Sequence, residues 1–176
     1  MPKPTELVLA DQFDRKADLA DVRGQVVIAG GRGDRKATDA CRNLGESLRV
    51  HSTPAAKGQA PREAQAAPVV PLANLKPGQA SPNVCVVPVA CCGKVPGPIR
   101  GAIRNQIAKA SPDAVVWLDF TETLKAAFGQ TAGQPNVLVF DAAGRLRMKF
   151  SGVPDQTGME NLVKAVQGLR VEAAGN

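Results

Sequence analysis

Cysteine is the residue type in this chain best suited to catalysis, and two of its four cysteines are adjacent. Cys91 and Cys92 directly follow Val84–Ala90, an apolar run rich in β-branched residues that predicts a buried strand. Functional groups gather at the carboxyl ends of parallel strands, which makes this pair a candidate catalytic site. Adjacent cysteines rarely reach disulfide geometry, so small inert residues at a strand end are the plainer interpretation.

Cys41 is the third candidate thiol. It recurs with Ala37, Leu44 and Leu48 at helical spacing on a helix predicted over residues 34–50, and this pattern favours a buried structural cysteine. Metal ligation has little support, because the cysteines show no CxxC spacing and His51 is the only histidine. We therefore predict neither a metal nor another cofactor.

A glycine-rich stretch joins the strand predicted over residues 26–29 to that helix. Backbone N–H groups and the helix dipole at such a junction can hold an anion. A plain tight turn is the alternative, since the stretch matches no known phosphate-binding pattern. The candidate binding residues here are Gly31, Arg32, Gly33, Arg35 and Lys36.

The pattern along the chain predicts alternating strands and helices. Residues 84–90 and 114–118 read as strands, and helices are predicted near residues 99–107 and 121–128. The end is the most regular part: a strand over 136–140, a turn over 141–144, an alternating return strand and a helix with a capping box at Thr157–Glu160. Residues 52–83 are rich in Pro, Ala and Gln, which predicts a flexible insertion within a single domain over 1–176.

The ending Pro135–Arg145 resembles the second half of a thioredoxin fold, in which a cis-proline precedes the last hairpin and helix. The opening, with its DQF segment and RGQVVIAG strand, resembles the redoxin (AhpC/TSA) group. This resemblance implies an α/β thioredoxin-like fold: a mostly parallel central sheet, a C-terminal antiparallel hairpin and helices on both faces. It places Pro135, with a cis peptide bond, beside the functional end of the sheet.

One departure from the family affects function. In thioredoxins the loop after the first core strand carries CxxC, whereas residues 30–37 here contain no cysteine. The chain thus looks most like the degenerate, YtfJ-like branch of the redoxins. A peroxiredoxin alternative rests on Thr38 and Cys41, which fit the end of a PxxxTxxC motif, but its proline is missing. Pro135 also stands where peroxiredoxins place an arginine.

Composition limits the partners. The net charge of +6 favours anionic ligands or acidic surfaces, while an aromatic content of 3% gives no support to specific nucleic-acid binding. No run reaches the roughly 18 apolar residues of a membrane span, and the first residues lack a signal-peptide core. As written, the sequence predicts a cytoplasmic protein, with a removed export signal left open.

Two functions follow from these observations. The first is a non-enzymatic or atypical binding module that takes a protein partner or a small anion at the vacated active-site end. The second is a thiol oxidoreductase or peroxidase that uses Cys91, Cys92 or Cys41.

Overall fold

The computed structural model describes residues 2–32, 35–60, 63 and 69–175, with the backbone alone for 28–32 and 35–38. Its strands are β1 (Val8–Asp11), β2 (Lys16–Asp18), β3 (Val26–Arg32), β4 (Val84–Cys91), β5 (Trp117–Asp119), β6 (Asn136–Phe140) and β7 (Leu146–Ser151). The helices described are α1 (Arg35–Ser52), α2 (Gly97–Ala110), α3 (Thr123–Phe128) and α4 (Gln156–Ala174), with short 3-10 helices at Leu19–Val22 and Pro54–Ala56.

The seven described strands form one sheet in the order β2-β1-β5-β4-β3-β6-β7. Only β3–β4 and β4–β5 are parallel pairs, and the four other neighbouring pairs are antiparallel. The predicted mostly parallel sheet is therefore corrected to a mixed sheet. The reason lies at the N-terminus, where the hairpin of β1 and β2 adds two antiparallel pairs that a short apolar run at residues 7–9 could not indicate.

Helices cover both faces of this sheet, as predicted. Alternation along β4 sends Val87 and Val89 to one face, where they share a cluster with Leu124 of α3. Val84 and Val86 point to the other face and pack with Leu44 of α1. We call these the α3 face and the α1 face. Helices α2 and α4 join α1 on its face, because the partners of α2 include Ala90 and Leu118 and those of α4 include Val137 and Val139.

The C-terminal hairpin is confirmed. Asp141 closes its turn by accepting hydrogen bonds from Ala143 N and Arg145 N, each at 3.0 Å, and Gly144 supplies the positive φ of +79°. Burial alone would raise the pKa of Asp141, but hydrogen bonds from Arg145 and Arg147 outweigh it and lower that pKa. Beyond the turn, β7 alternates between half-buried and exposed residues as its sequence predicts.

The N-cap of the last helix lies two residues before the predicted one. Asp155 is the N-cap, and its carboxylate accepts a hydrogen bond from Gly158 N at 2.7 Å, so Thr157 lies inside α4 instead of capping it. Leu162, Val166 and Leu169 are buried and form the apolar stripe of this helix. No helix among the described residues has the length and apolar character needed to cross a membrane.

The second half of the proline-rich segment is hydrogen-bonded to α4. We call residues 69–83 the strap. Arg170 of α4 is only 1% exposed and donates to Pro82 O and Val70 O at 2.7 Å and to Ser81 Oγ at 2.9 Å. Its remaining hydrogen bond, at 3.0 Å, goes to Gln167 Oε1. The flexibility predicted for 52–83 must therefore be tested separately in the strap, while residues 61–62 and 64–68 lie outside the described residues.

Candidate functional site

Most of the predicted site residues meet at one edge of the sheet, where β3, β4 and β5 end. Arg32 of β3 pairs with Ala90 of β4, and the next residue of β4, Cys91, pairs with Asp119. The antiparallel pairing of Gly31 with Asn136 brings the preceding Pro135 to the same edge. We call this the carboxyl edge. It is where ligands bind in open α/β sheets.

The junction between β3 and α1 lies at the carboxyl edge and carries basic residues in place of a CxxC motif. Strand β3 ends at Arg32 and α1 begins at Arg35, followed by Lys36. The first turn of α1 contains no acidic residue. Gly33 and Asp34 lie outside the described residues.

Pro135 occupies the expected position, but its peptide bond is not cis. No cis peptide bond occurs within the described residues, so the bond from Gln134 is trans. Asn136 closes the loop before β6: its amide donates to Thr131 O and Gln134 O at 3.1 and 3.0 Å. The chain thus enters β6 in the intrinsically preferred trans isomer, favoured by about 0.5–1 kcal/mol for X–Pro bonds. The predicted cis-proline was wrong.

The two adjacent cysteines lie on opposite faces of the sheet. Cys91 packs with the α3-face cluster and accepts a hydrogen bond from Gln130 Nε2 at 3.2 Å. Cys92 packs on the other face, and its thiol donates to Ala90 O at 3.5 Å. Both are half-buried. Alternation along an extended backbone separates their side chains, so they do not form a vicinal dithiol site.

Cys41 and Cys85 also lie on opposite sides of the sheet and do not form a pair. Cys41 lines a cavity on the α1 face that Pro135 also borders, while Leu44 and Leu48 of the same predicted stripe are buried. Cys85 packs on the α3 face. It lies six residues before Cys91, about 20 Å along an extended strand. No disulfide links the cysteines of the described chain.

The labelling order of the four thiols is a testable consequence of their positions. Burial raises the pKa of Cys85, so less of it is thiolate near neutral pH. We expect Cys91 or Cys92, at the carboxyl edge, to react before Cys41 and Cys85, and Cys85 to react last. Mass spectrometry after brief iodoacetamide treatment at pH 7 gives the order, with urea-denatured protein as the control for equal intrinsic reactivity. Early labelling of Cys41 would instead favour the peroxidase alternative.

Acidic residues near the carboxyl edge have structural roles. Asp119 is buried and accepts hydrogen bonds from Thr123 N and Leu124 N at 2.9 Å, so its carboxylate binds the free N–H groups at the start of α3. No group of three or more His, Cys, Asp or Glu side chains suited to a metal lies within the described ranges.

A cavity of about 450 Å³ between α1 and residues 110–116 was not predicted. Its lining includes Cys41, Pro135 and the half-buried Arg49. The sequence signal for Arg49 is its helical spacing from Cys41 and Gly45, but spacing alone could not show that α1 and α2 stand apart here.

The sequence matches no protein-family model and no curated protein. Similarity appears among solved structures. The exposed lipoprotein thioredoxin of Streptococcus pneumoniae is 15% identical with a TM-score of 0.57, over 92% of this chain and 99% of that one. A thioredoxin-family thiol:disulfide interchange protein of Chlorobium tepidum is 16% identical with a TM-score of 0.53, over 96% and 98%. A secreted thiol-disulfide isomerase of Corynebacterium glutamicum is 15% identical with a TM-score of 0.55, over 94% and 85%. Together with the sheet order and the β6–β7–α4 ending, these similarities show that the chain has a thioredoxin-like fold.

Proposed function

We propose that this protein is a binding module of the redoxin type that takes an acidic protein segment or a small anion at its carboxyl edge and does not exchange disulfides. The observation that carries the proposal is the β3–α1 junction. At this position a thioredoxin holds its CxxC motif, and here the strand ends at Arg32 and the helix begins with Arg35 and Lys36. A basic sequence at a helix N-terminus is suited to anions.

The arrangement of the cysteines supports the second part of the proposal, that the protein does not exchange disulfides. Dithiol exchange needs two thiols that can close into one disulfide, with Cα atoms less than about 7 Å apart. Cys91 and Cys92 point to opposite faces, and Cys85 lies far along the strand from Cys91. Cys41 lies on α1, on the opposite side of the sheet from Cys85 and Cys91.

The alternative is a thiol oxidoreductase or a peroxiredoxin-like peroxidase that uses a single cysteine, Cys41, Cys91 or Cys92. One observation favours Cys41 within this alternative: it lines a cavity that Pro135 borders, so a small oxidant could reach it there. The cytoplasmic location remains a prediction from the sequence.

Charge reversal at the junction tests the binding half of the proposal. We expect the triple variant Arg32→Glu, Arg35→Glu, Lys36→Glu to bind a fluorescent octaglutamate peptide at least tenfold more weakly, about 1.4 kcal/mol, because three attractive charges become repulsive. Fluorescence anisotropy at fixed ionic strength measures the affinity.

A matched variant distinguishes binding at the β3–α1 junction from a general effect of the net charge of the protein. Lys57, Lys109 and Lys164 are exposed and lie elsewhere, and their replacement by glutamate changes the net charge by the same amount. We expect this control to bind within threefold of the wild type. An equal loss in both variants would mean that the peptide responds to net charge alone, and the proposed site would be withdrawn.

A further inference from the structure

The cavity on the α1 face is large enough for a small organic molecule. Its volume of about 450 Å³ corresponds to about fifteen groups of water size. Residues of α1, β4 and β6 line it together with residues in the range 110–116. The apolar part of the lining includes Leu44, Leu48, Val86, Val116 and Val137. A ligand with an apolar body fits such a lining.

A buried glutamine keeps this space open. Gln12 accepts a hydrogen bond from Val116 N at 2.8 Å and donates to Ser111 O at 3.1 Å and to Ala114 O. These contacts hold residues 111–116 beside β1, and β5 pairs with β4 only from Val89 onward. The first half of β4 consequently has no strand neighbour on this side among the described residues. Pro88, which cannot donate to a ladder, is the last residue before this pairing begins.

Arg49 gives the cavity a positive charge. Its half-buried side chain lines both this cavity and a smaller one of about 260 Å³ next to it. Within the part of the chain that the structure describes, its guanidinium makes no hydrogen bond and no ion pair. Burial lowers the pKa of Arg49, but an arginine stays charged. The other charged residues that line the cavity, Arg42, Glu46 and Asp113, are exposed.

Cys85 and Glu46 act on the Arg49 guanidinium electrostatically, but neither forms an ion pair with it among the described residues. This partly desolvated cation therefore gains from an anionic partner that pairs with it directly. We propose that the cavity binds a small amphiphilic carboxylate, with its apolar body over Val86 and Val137 and its carboxylate paired with Arg49. This site is separate from the β3–α1 junction, and neither proposal depends on the other. The chemistry that recognises the ligand is one negative charge on an apolar body of about ten carbon atoms, within the space available.

Decanoate and decanol are matched probes, since they share the chain and differ in charge. Isothermal titration of the full chain should show decanoate binding at least tenfold more tightly than decanol. Arg49→Met should reduce decanoate affinity at least tenfold and leave decanol affinity within threefold, while Arg49→Lys should retain part of the preference. Lys164→Met, exposed on α4 and outside the lining of the cavity, should bind like the wild type. Equal affinity for the two probes, or equal losses in both methionine variants, would overturn the proposal.

Gly45 allows the cavity to be blocked without damage to the fold. A Cβ atom at Gly45 meets nothing within 4 Å, and the residue lines the cavity. Gly45→Leu should therefore stabilise α1, because glycine is a poor helix former, and should abolish decanoate binding. Gly101→Leu is the control: Gly101 lies in α2, also has open space around its Cβ position and does not line the cavity. Undiminished binding by Gly45→Leu, or no decanoate binding by the wild type at millimolar concentration, would contradict the assignment.

Discussion

Replacing Arg170 with methionine is expected to lower the free energy of unfolding by about 3 kcal/mol, the size of effect seen when a buried hydrogen-bonded charge is lost. For a chain of this length such a loss corresponds to a melting temperature roughly 6–12 °C lower. Urea denaturation and calorimetry at pH 7 measure both quantities.

The reason is the number of carbonyl and hydroxyl groups that depend on this one side chain. Arg170 satisfies Val70 O, Ser81 Oγ and Pro82 O of the strap, and methionine can fill its volume but cannot donate to any of them. Among the described residues, four hydrogen bonds from the strap to the rest of the chain would remain. Val70 N donates to Ser52 O at 3.1 Å and Gln79 Nε2 donates to Ala174 O at 2.7 Å, while Asn83 accepts from Val26 N at 2.9 Å and donates to Gln25 Oε1 at 3.3 Å. We therefore expect the strap to loosen before the sheet unfolds.

Hydrogen exchange separates these two effects. In Arg170→Met the amides of residues 69–83 should exchange faster under native conditions than those of β6, whose protection follows global stability. Lys164→Met is the matched control, because Lys164 lies exposed on the same helix, and it should change neither stability nor exchange measurably. A melting temperature for Arg170→Met within 2 °C of the wild type would show that the strap contributes little to stability.

The sequence predicted the elements whose identity depends on local pattern. Val26–Val27 and Val84–Val87 read as buried strands because β-branched residues cluster there, and the alternation in β7 and the stripe of α4 follow from periods of 2 and 3.6 residues. Strand β2 has only three residues, Lys16–Asp18, and exists through its pairing with β1, so no local pattern marks it.

Other features were not predicted because most of them depend on contacts between residues that are distant in the sequence. Arg170 stands at i+4 from Val166 and so lies on the apolar stripe of α4, yet a charged residue there is ordinarily assigned to the surface. The role of Gln12 could not be predicted either, because its partners Ser111 and Val116 are about one hundred residues away in the sequence. The cis bond at Pro135 was expected from the family resemblance alone, and the bond is in the trans form that X–Pro bonds intrinsically prefer.

The sequence predicted that the candidate site lacks the CxxC cysteines, but it did not predict the geometry of the remaining cysteines. The absence of cysteine between β3 and α1 can be read directly from residues 30–37. The separation of Cys91 from Cys92 could not be predicted, because the predicted strand ended at Ala90, whereas β4 continues through Cys91 and its extended backbone places the two side chains on opposite faces.

Restoring the missing motif would show whether the fold still supports disulfide chemistry. The double variant Asp34→Cys, Ala37→Cys places a CxxC sequence at the start of α1, where a helix N-terminus stabilises a thiolate. We expect this variant to gain dithiothreitol-dependent reduction of insulin, which makes it the positive control for the wild type in the same assay.

Insulin reduction by the wild-type protein is the most direct test of the central claim that this thioredoxin-like fold performs no dithiol–disulfide exchange. Turbidity from the released B chain is followed with dithiothreitol as donor, at protein concentrations where the Asp34→Cys, Ala37→Cys variant is active. We predict a wild-type rate equal to that of dithiothreitol alone, because its cysteines are distributed over two faces of the sheet and the β3–α1 junction has none. A wild-type rate well above that background, abolished by Cys41→Ser, Cys91→Ser or Cys92→Ser, would contradict the account.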